Sequence, residues 1–174
     1  MNVFSQNKKN LIFMLLALLL SVQPKAQIRN NRPSLMAHGV IYPNSCKEDQ
    51  QKKLRSTLIK SSALAPEKAW QVIEIFLCST HNDKNINAAI ISSKSEIKNN
   101  YEETGVKPDS RMIKPSKETI KALMANGNAW DVDIKADRDK IEVSYLRDEA
   151  CIEGLAFVFH AEQWYLSEFS AACD

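Results

Sequence analysis

Glycine is scarce in this chain: its 174 residues include four, Gly39, Gly105, Gly127 and Gly154. That spacing builds neither a G-x-x-x-x-G-K loop nor a G-x-G-x-x-G turn, which excludes nucleotide binding by backbone cradles of those kinds. Histidine is scarcer, with His38, His81 and His160 alone, and the four cysteines form no C-x-x-C pair. A zinc site or thiol-redox centre of familiar spacing has no starting point. No G-x-S-x-G elbow occurs, and Asp131, Asp133, Asp137 and Asp139 lack the D-x-D-x-D-G order and closing glutamate of a calcium loop. The apolar run Leu11 to Val22 is twelve residues, well short of the roughly 20 that a membrane-spanning helix needs.

What the N-terminus does contain is a targeting pattern. Lys8 and Lys9 precede the apolar run and Gln23-Pro24-Lys25-Ala26-Gln27 follows it, the charged, apolar and polar order of a secretory signal. Residues 1–26 are expected to be a signal peptide cut after Ala26, although Pro24 fits the minus-three position poorly; an uncleaved anchor is the alternative. Cleavage removes Lys8, Lys9 and Lys25 and no acid, leaving 20 basic residues against 21 acidic ones, a net charge of −1 in place of +2. No dense Lys/Arg stripe survives, so nucleic acid is not an expected partner. Stable membrane insertion after cleavage is not expected either, and the expected compartment is the periplasm, where thiols oxidise.

Removing 26 of 174 residues leaves about 148, the size of one domain. Residues 27–44 are polar and turn-rich around Pro33 and Pro43 and read as a flexible lead-in; residues 45–174 read as a single domain. Ser45 and Glu48 have the spacing of a capping box, predicting a helix from Cys46 to about Lys60 with Leu54, Leu58 and Ile59 on its apolar stripe. Pro66 and Glu67 suit the start of a second helix reaching about Thr80, in which Ala69, Trp70, Ile73, Phe76 and Leu77 recur at helical spacing. A third helix is predicted from Asn82 or Asp83, carrying Ile86, Ile90, Ile97 and Tyr101 and ending before Gly105. A loop over 104–115 and a short helix capped by Ser116 follow, with Asn126-Gly127 as its stop.

Past Gly127 the period falls from 3.6 to 2. Trp130, Val132 and Ile134 alternate with Asp131, Asp133 and Lys135, and Ile141, Val143 and Tyr145 repeat the pattern. A turn at Asp137-Arg138 sets Ile134 opposite Ile141, Val132 opposite Val143 and Trp130 opposite Tyr145. Cys151 to His160 is apolar on both sides, as in a central strand, and Trp164 to about Ala171 completes a meander. The fold class is therefore α+β: a helical hairpin and one or two further helices packed on a C-terminal four-stranded antiparallel meander. Helices followed by a curved meander resemble, at the level of fold, the cone-shaped ligand-binding domains of the nuclear-transport-factor-2-like type, a likeness that assigns no function.

Four cysteines allow three pairings, and the inferred hairpins choose among them. A turn through Ala161, Glu162 and Gln163 places Cys151 opposite Cys173, Leu155 opposite Phe169 and Phe159 opposite Tyr165. The helical hairpin, turning near Ser62 or Ala63, sets Cys46 level with Cys78. The predicted disulfides are Cys46 to Cys78 and Cys151 to Cys173.

Candidate chemistry has a simpler reading at each position. His81, three residues after Cys78, suits a helix C-terminus, and His160 beside the last turn suits a cross-strand pair with Trp164. Asp148, Glu149, Glu153, Glu162 and Glu168 allow a carboxylate pair to be imagined but read as a solvated face. Trp70, Trp130 and Trp164 read as core with one possible pocket wall. With no catalytic, cofactor or metal signature, the expectation is a non-catalytic binding module with a protein partner in the cell envelope, such as an inhibitor or immunity protein. The alternative is a small-ligand binder or enzyme whose pocket between helices and sheet uses Trp130, Tyr145, Phe157 and Trp164.

Overall fold

The computed structural model describes residues 43–174. The expected signal peptide over 1–26 and the lead-in as far as residue 42 lie outside the described residues. Asn44, the residue before Ser45, is held from several sides. Its side-chain oxygen accepts the Cys46 N–H at 2.7 Å, its amide donates to the Gly127 carbonyl, and its backbone bridges to Trp130. Ser45, 5% exposed, donates its N–H to the Ala129 carbonyl. The expected capping box is therefore not formed: helix α1, Glu48–Ile59, starts after Lys47 with no side-chain cap, and Glu48 instead pairs with Lys52 one turn on.

Helix α1 buries Leu58, but Ile59, assigned to the same stripe, is 43% exposed. Helix α2, Pro66–Cys78, buries Ala69, Trp70, Ile73, Phe76 and Leu77 as its periodicity predicts, with Pro66 in the first turn where no N–H is needed. Cys46 and Cys78 are joined, with Cα atoms 5.3 Å apart. Helix α3, Asp83–Ser92, is capped by the Asn82 side chain, which accepts the Asn85 N–H.

The predicted third helix ends there, and Ile97–Glu103 is strand β1. Ile97 and Tyr101, four apart, fit a helical spacing, but each also lies two residues from Asn99, and that polar centre hides the strand alternation. Where a loop was expected, Asp109–Ile113 forms strand β2, paired antiparallel with β1. It is charged, almost wholly exposed and closely followed by Pro115, the properties of a short protected edge. Helix α4, Lys117–Leu123, has the predicted cap, Ser116 Oγ accepting the Thr119 N–H at 3.1 Å. Asn126 and Gly127, with φ of 56° and 75°, turn the chain.

Strands β3 (Trp130–Ala136), β4 (Lys140–Leu146), β5 (Cys151–His160) and β6 (Gln163–Cys173) form the antiparallel meander. The meander is part of a six-stranded mixed sheet of order β2-β1-β6-β5-β4-β3, because β1 docks parallel to β6 and covers what would be an open edge. The β3–β4 pairing is two places from the predicted one, with Ile134 opposite Val143 and Ala136 opposite Ile141. The tip lies at Arg138-Asp139, closed by the Asp137 N–H to the Lys140 carbonyl. From Asp133 to Ala136 this even shift leaves the side chains on their predicted faces, whereas a bulge between Trp130 and Asp133 sets Trp130 opposite Leu146, one place from the expected Tyr145.

The β5–β6 hairpin turns through two residues rather than three: Ala161 and Glu162 both have positive φ, as a type I′ turn requires. Phe159 therefore faces Trp164, ring centres 5.3 Å apart, and His160 faces Gln163 instead of Trp164. A bulge at Ser167 then adds one residue to β6, which restores the predicted register beyond it. Leu155 lies opposite Phe169 and Cys151 opposite Cys173, the second disulfide. Two disulfides suit an oxidising compartment, and no helix of the described residues is long and apolar enough to cross a membrane.

Candidate functional site

Alternation along the strands gives the sheet two unlike faces. On the inner face, against the helices, Ile141, Val143, Tyr145, Leu155, Phe157 and Leu166 are buried. Phe157 meets Phe76 edge-on at 5.9 Å, and Trp164 donates its indole N–H to the Leu64 carbonyl at 2.8 Å. The four aromatics assigned to a possible pocket or interface, Trp130, Tyr145, Phe157 and Trp164, are between 0% and 6% exposed. The fold thus brings them into the interior and out of reach of a partner's surface.

One polar group interrupts this interior. Glu153 on β5 is 7% exposed and lies opposite Tyr145. Arg147 reaches Glu153 Oε2 at 3.1 Å and donates to the Ala122 and Met124 carbonyls at the end of α4, at 2.9 and 3.4 Å. Burial pushes the Glu153 carboxyl above its ordinary range, opposed by the Arg147 guanidinium. Burial also pushes the Tyr145 hydroxyl well up. Glu153 is thus not part of a solvated face, as the sequence suggested; its neighbours Asp148 and Glu149 are half-buried and exposed. A buried carboxyl with a raised pKa is a candidate general acid, but here the guanidinium already fills its front.

The outer face carries no helix among the described residues. Across it run Ser110, Asn100, Ser170, Gly154 and Ser144, neighbours on β2, β1, β6, β5 and β4. Small side chains make this row a floor, and a Cβ on Gly154 would lie 2.5 Å from Ser170 Oγ. Three adjoining depressions share residues along it. The first, about 390 Å³, lies beside the Cys151–Cys173 disulfide, over Leu146, Ile152 and Ala172, with Glu102, Glu149 and Asp174 at its rim. The second, about 320 Å³, shares Glu102, Ile152 and Ala172 and passes over Gly154 and Ser170. The third, about 390 Å³, continues from Ser144, Gly154 and Ser170 to Lys140, Glu142 and Glu168. Together they form one open channel along β5 and β6.

Charge is uneven along the channel. At the far end lysines answer the acids: Lys140 pairs with Glu142 and holds its carboxyl below the ordinary range, Lys135 lies 4.0 Å from Asp133, and Lys98 lies 3.6 Å from Glu168. At the disulfide end the lining residues include no lysine or arginine. Ile152, 58% exposed, stands on this acidic floor. Among the remaining candidates, His81 bonds to the Met124 carbonyl and His160 is exposed, while His38 lies outside the described residues. Among the described residues no cluster of His, Cys, Asp and Glu could hold a metal ion.

No protein-family model matches this chain, and no curated protein matches it. Among solved structures it is similar to a DUF4783 family protein from Bacteroides uniformis, at 9% identity and a TM-score of 0.40, covering 64% of this chain and 98% of that one. An NTF2-like protein with a cystatin-like fold from Novosphingobium aromaticivorans has 12% identity and a TM-score of 0.40, over 70% and 87% of the two chains. An NTF2-like protein from Cytophaga hutchinsonii has 11% identity and a TM-score of 0.36, over 71% and 98%. Likenesses of this size assign neither family nor activity to the chain.

Proposed function

We propose that this protein is an exported binding module that engages a protein partner through the outer face of its sheet and performs no chemistry of its own. A concrete form is an inhibitor or immunity protein that blocks an envelope-directed toxin or hydrolase. The observation that carries the reading is the contrast between a filled interior, with Trp130, Tyr145, Phe157 and Trp164 at most 6% exposed, and an open channel in which Ile152 is 58% exposed. An apolar residue inside a polar rim is the usual anatomy of a docking surface. A rigid scaffold tied by two disulfides lowers the ordering cost of binding.

The test is purification of the tagged protein from periplasm beside its Ile152→Lys variant, with native mass spectrometry of both. A stoichiometric protein partner held by the parent chain and lost from the variant supports the reading. A stoichiometric small metabolite with no protein partner counts against it and favours a ligand pocket.

A further inference from the structure

Resting on the reading that the outer face docks a protein, we infer that the channel takes a cationic, elongated segment, with an apolar side chain over Ile152 and Lys or Arg side chains in the acidic end. The first argument is charge. Besides Glu153, whose carboxyl is buried and paired with Arg147, the acids lining the channel are Glu102, Asp133, Glu142, Glu149, Glu168 and Asp174, and the bases are Lys135 and Lys140. The lysines stand beside acids at the far end, so the unanswered negative charge lies around Glu102, Glu149 and Asp174, next to the exposed apolar side chain of Ile152. A side chain with an apolar stem and a cationic head satisfies both features at once.

The second argument is shape. From Cys151 to Ala156 the channel follows five strand steps, roughly 17 Å at about 3.4 Å per residue. An extended segment of about five residues fills that length. Gly154, Ala156, Ala172, Ser144 and Ser170 keep the floor low enough for a backbone to approach. The same charge excess disfavours three other occupants. A second copy docked through the same face would bring acids against acids, and nucleic acid or an anionic membrane would be repelled.

The experiment uses the chain from Gln27, disulfides intact, and a fluorescein-labelled peptide of five alternating Lys and Leu residues, with its Glu and Leu counterpart as control. Fluorescence polarisation is expected to give saturable one-to-one binding of the basic peptide that weakens with salt, and no binding of the acidic one. The triple variant Glu102→Lys, Glu149→Lys, Asp174→Lys is expected to lose more than about tenfold in affinity, and Ile152→Asp a similar amount. An equal charge change on other exposed acids, Glu48→Lys, Asp49→Lys and Glu96→Lys, is expected to leave binding within about twofold.

Equal losses from both triple variants would overturn the inference, because attraction would then follow net charge alone. If the channel triple variant unfolds, amide chemical-shift mapping on the parent chain decides: shifts confined to β4, β5, β6, residues 100–105 and the 146–150 loop support the site, and shifts elsewhere overturn it. The sequence from Gln27 to Tyr42 contains Arg29 and Arg32 and no acid. Much tighter peptide binding by a chain starting at Pro43 would assign the channel to that segment instead of an external partner. An envelope partner that depends on Ile152 but meets the channel with acidic residues would overturn the partner's chemistry while leaving the docking reading standing.

Discussion

The inner and outer faces of the sheet are made from the same strands, one residue apart, and they have opposite chemistry. Val143, Leu155 and Phe157 point to the helices and are buried, whereas Ser144, Gly154 and Glu142 alternate with them and stay on the open side. The inner positions carry the burial that drives folding, at about 25 cal/mol per Å² of apolar surface. The outer positions are free of that duty. A face that stability does not constrain, yet keeps a low floor, an exposed isoleucine and excess acid, is where recognition is to be sought.

Substitutions grade that contrast. Phe157→Ala, at 0% exposure and in contact with Phe76, is expected to cost about 3–5 kcal/mol in denaturant unfolding. A loss under about 1 kcal/mol would mean that the inner face is not the core. Replacing Cys46 and Cys78, or Cys151 and Cys173, by serine is expected to cost about 3–4 kcal/mol per pair, from loops of 32 and 22 residues. The two losses should be similar, since chain entropy depends only weakly on loop length.

Arg147→Met leaves Glu153 buried without its cation, at an expected cost of about 1–3 kcal/mol near neutral pH. The pH dependence follows from the direction of the Glu153 shift. Its folded pKa lies above the ordinary 4.5, so the folded state holds the proton more tightly. That contribution is complete below the unfolded pKa and is lost as pH rises through the folded one. Removing Arg147 takes away a cation that holds this pKa down, so the variant should lose stability more steeply above pH ~4.5 than the parent. Arg147→Met with additional Glu153→Gln should flatten that slope; an unchanged slope would place the titration elsewhere. The smallest effect belongs to the outer face: Glu142→Gln is expected to change stability by less than about 0.5 kcal/mol, because its partner Lys140 is half-exposed to solvent.

Legibility in the sequence followed the range of the contacts. Both disulfides were readable because each closes a local hairpin, and the bulge at Ser167 happened to compensate for a turn one residue shorter than assumed. The channel was not readable, because it joins Glu102 on β1 to Leu146 at the end of β4, and the spacing of β1 reads as helix. Its parallel partner β6 lies some 70 residues further along the chain, with Asn99 opposite Phe169. The burial of Glu153 did leave a trace: it shares strand parity with Leu155 and Phe157, a phase masked by apolar residues on both sides of β5.

By itself the sequence determined the helical hairpin, the faces of the meander strands and the two cysteine pairs, since short-range periodicity and turn geometry are enough to fix them. Only the tertiary structure decided that residues 97–113 extend the sheet, that Glu153 is buried against Arg147, and that the outer face holds an acid-rimmed channel. Each of these depends on which distant strand or helix lies alongside, and no local pattern of side chains encodes that neighbour.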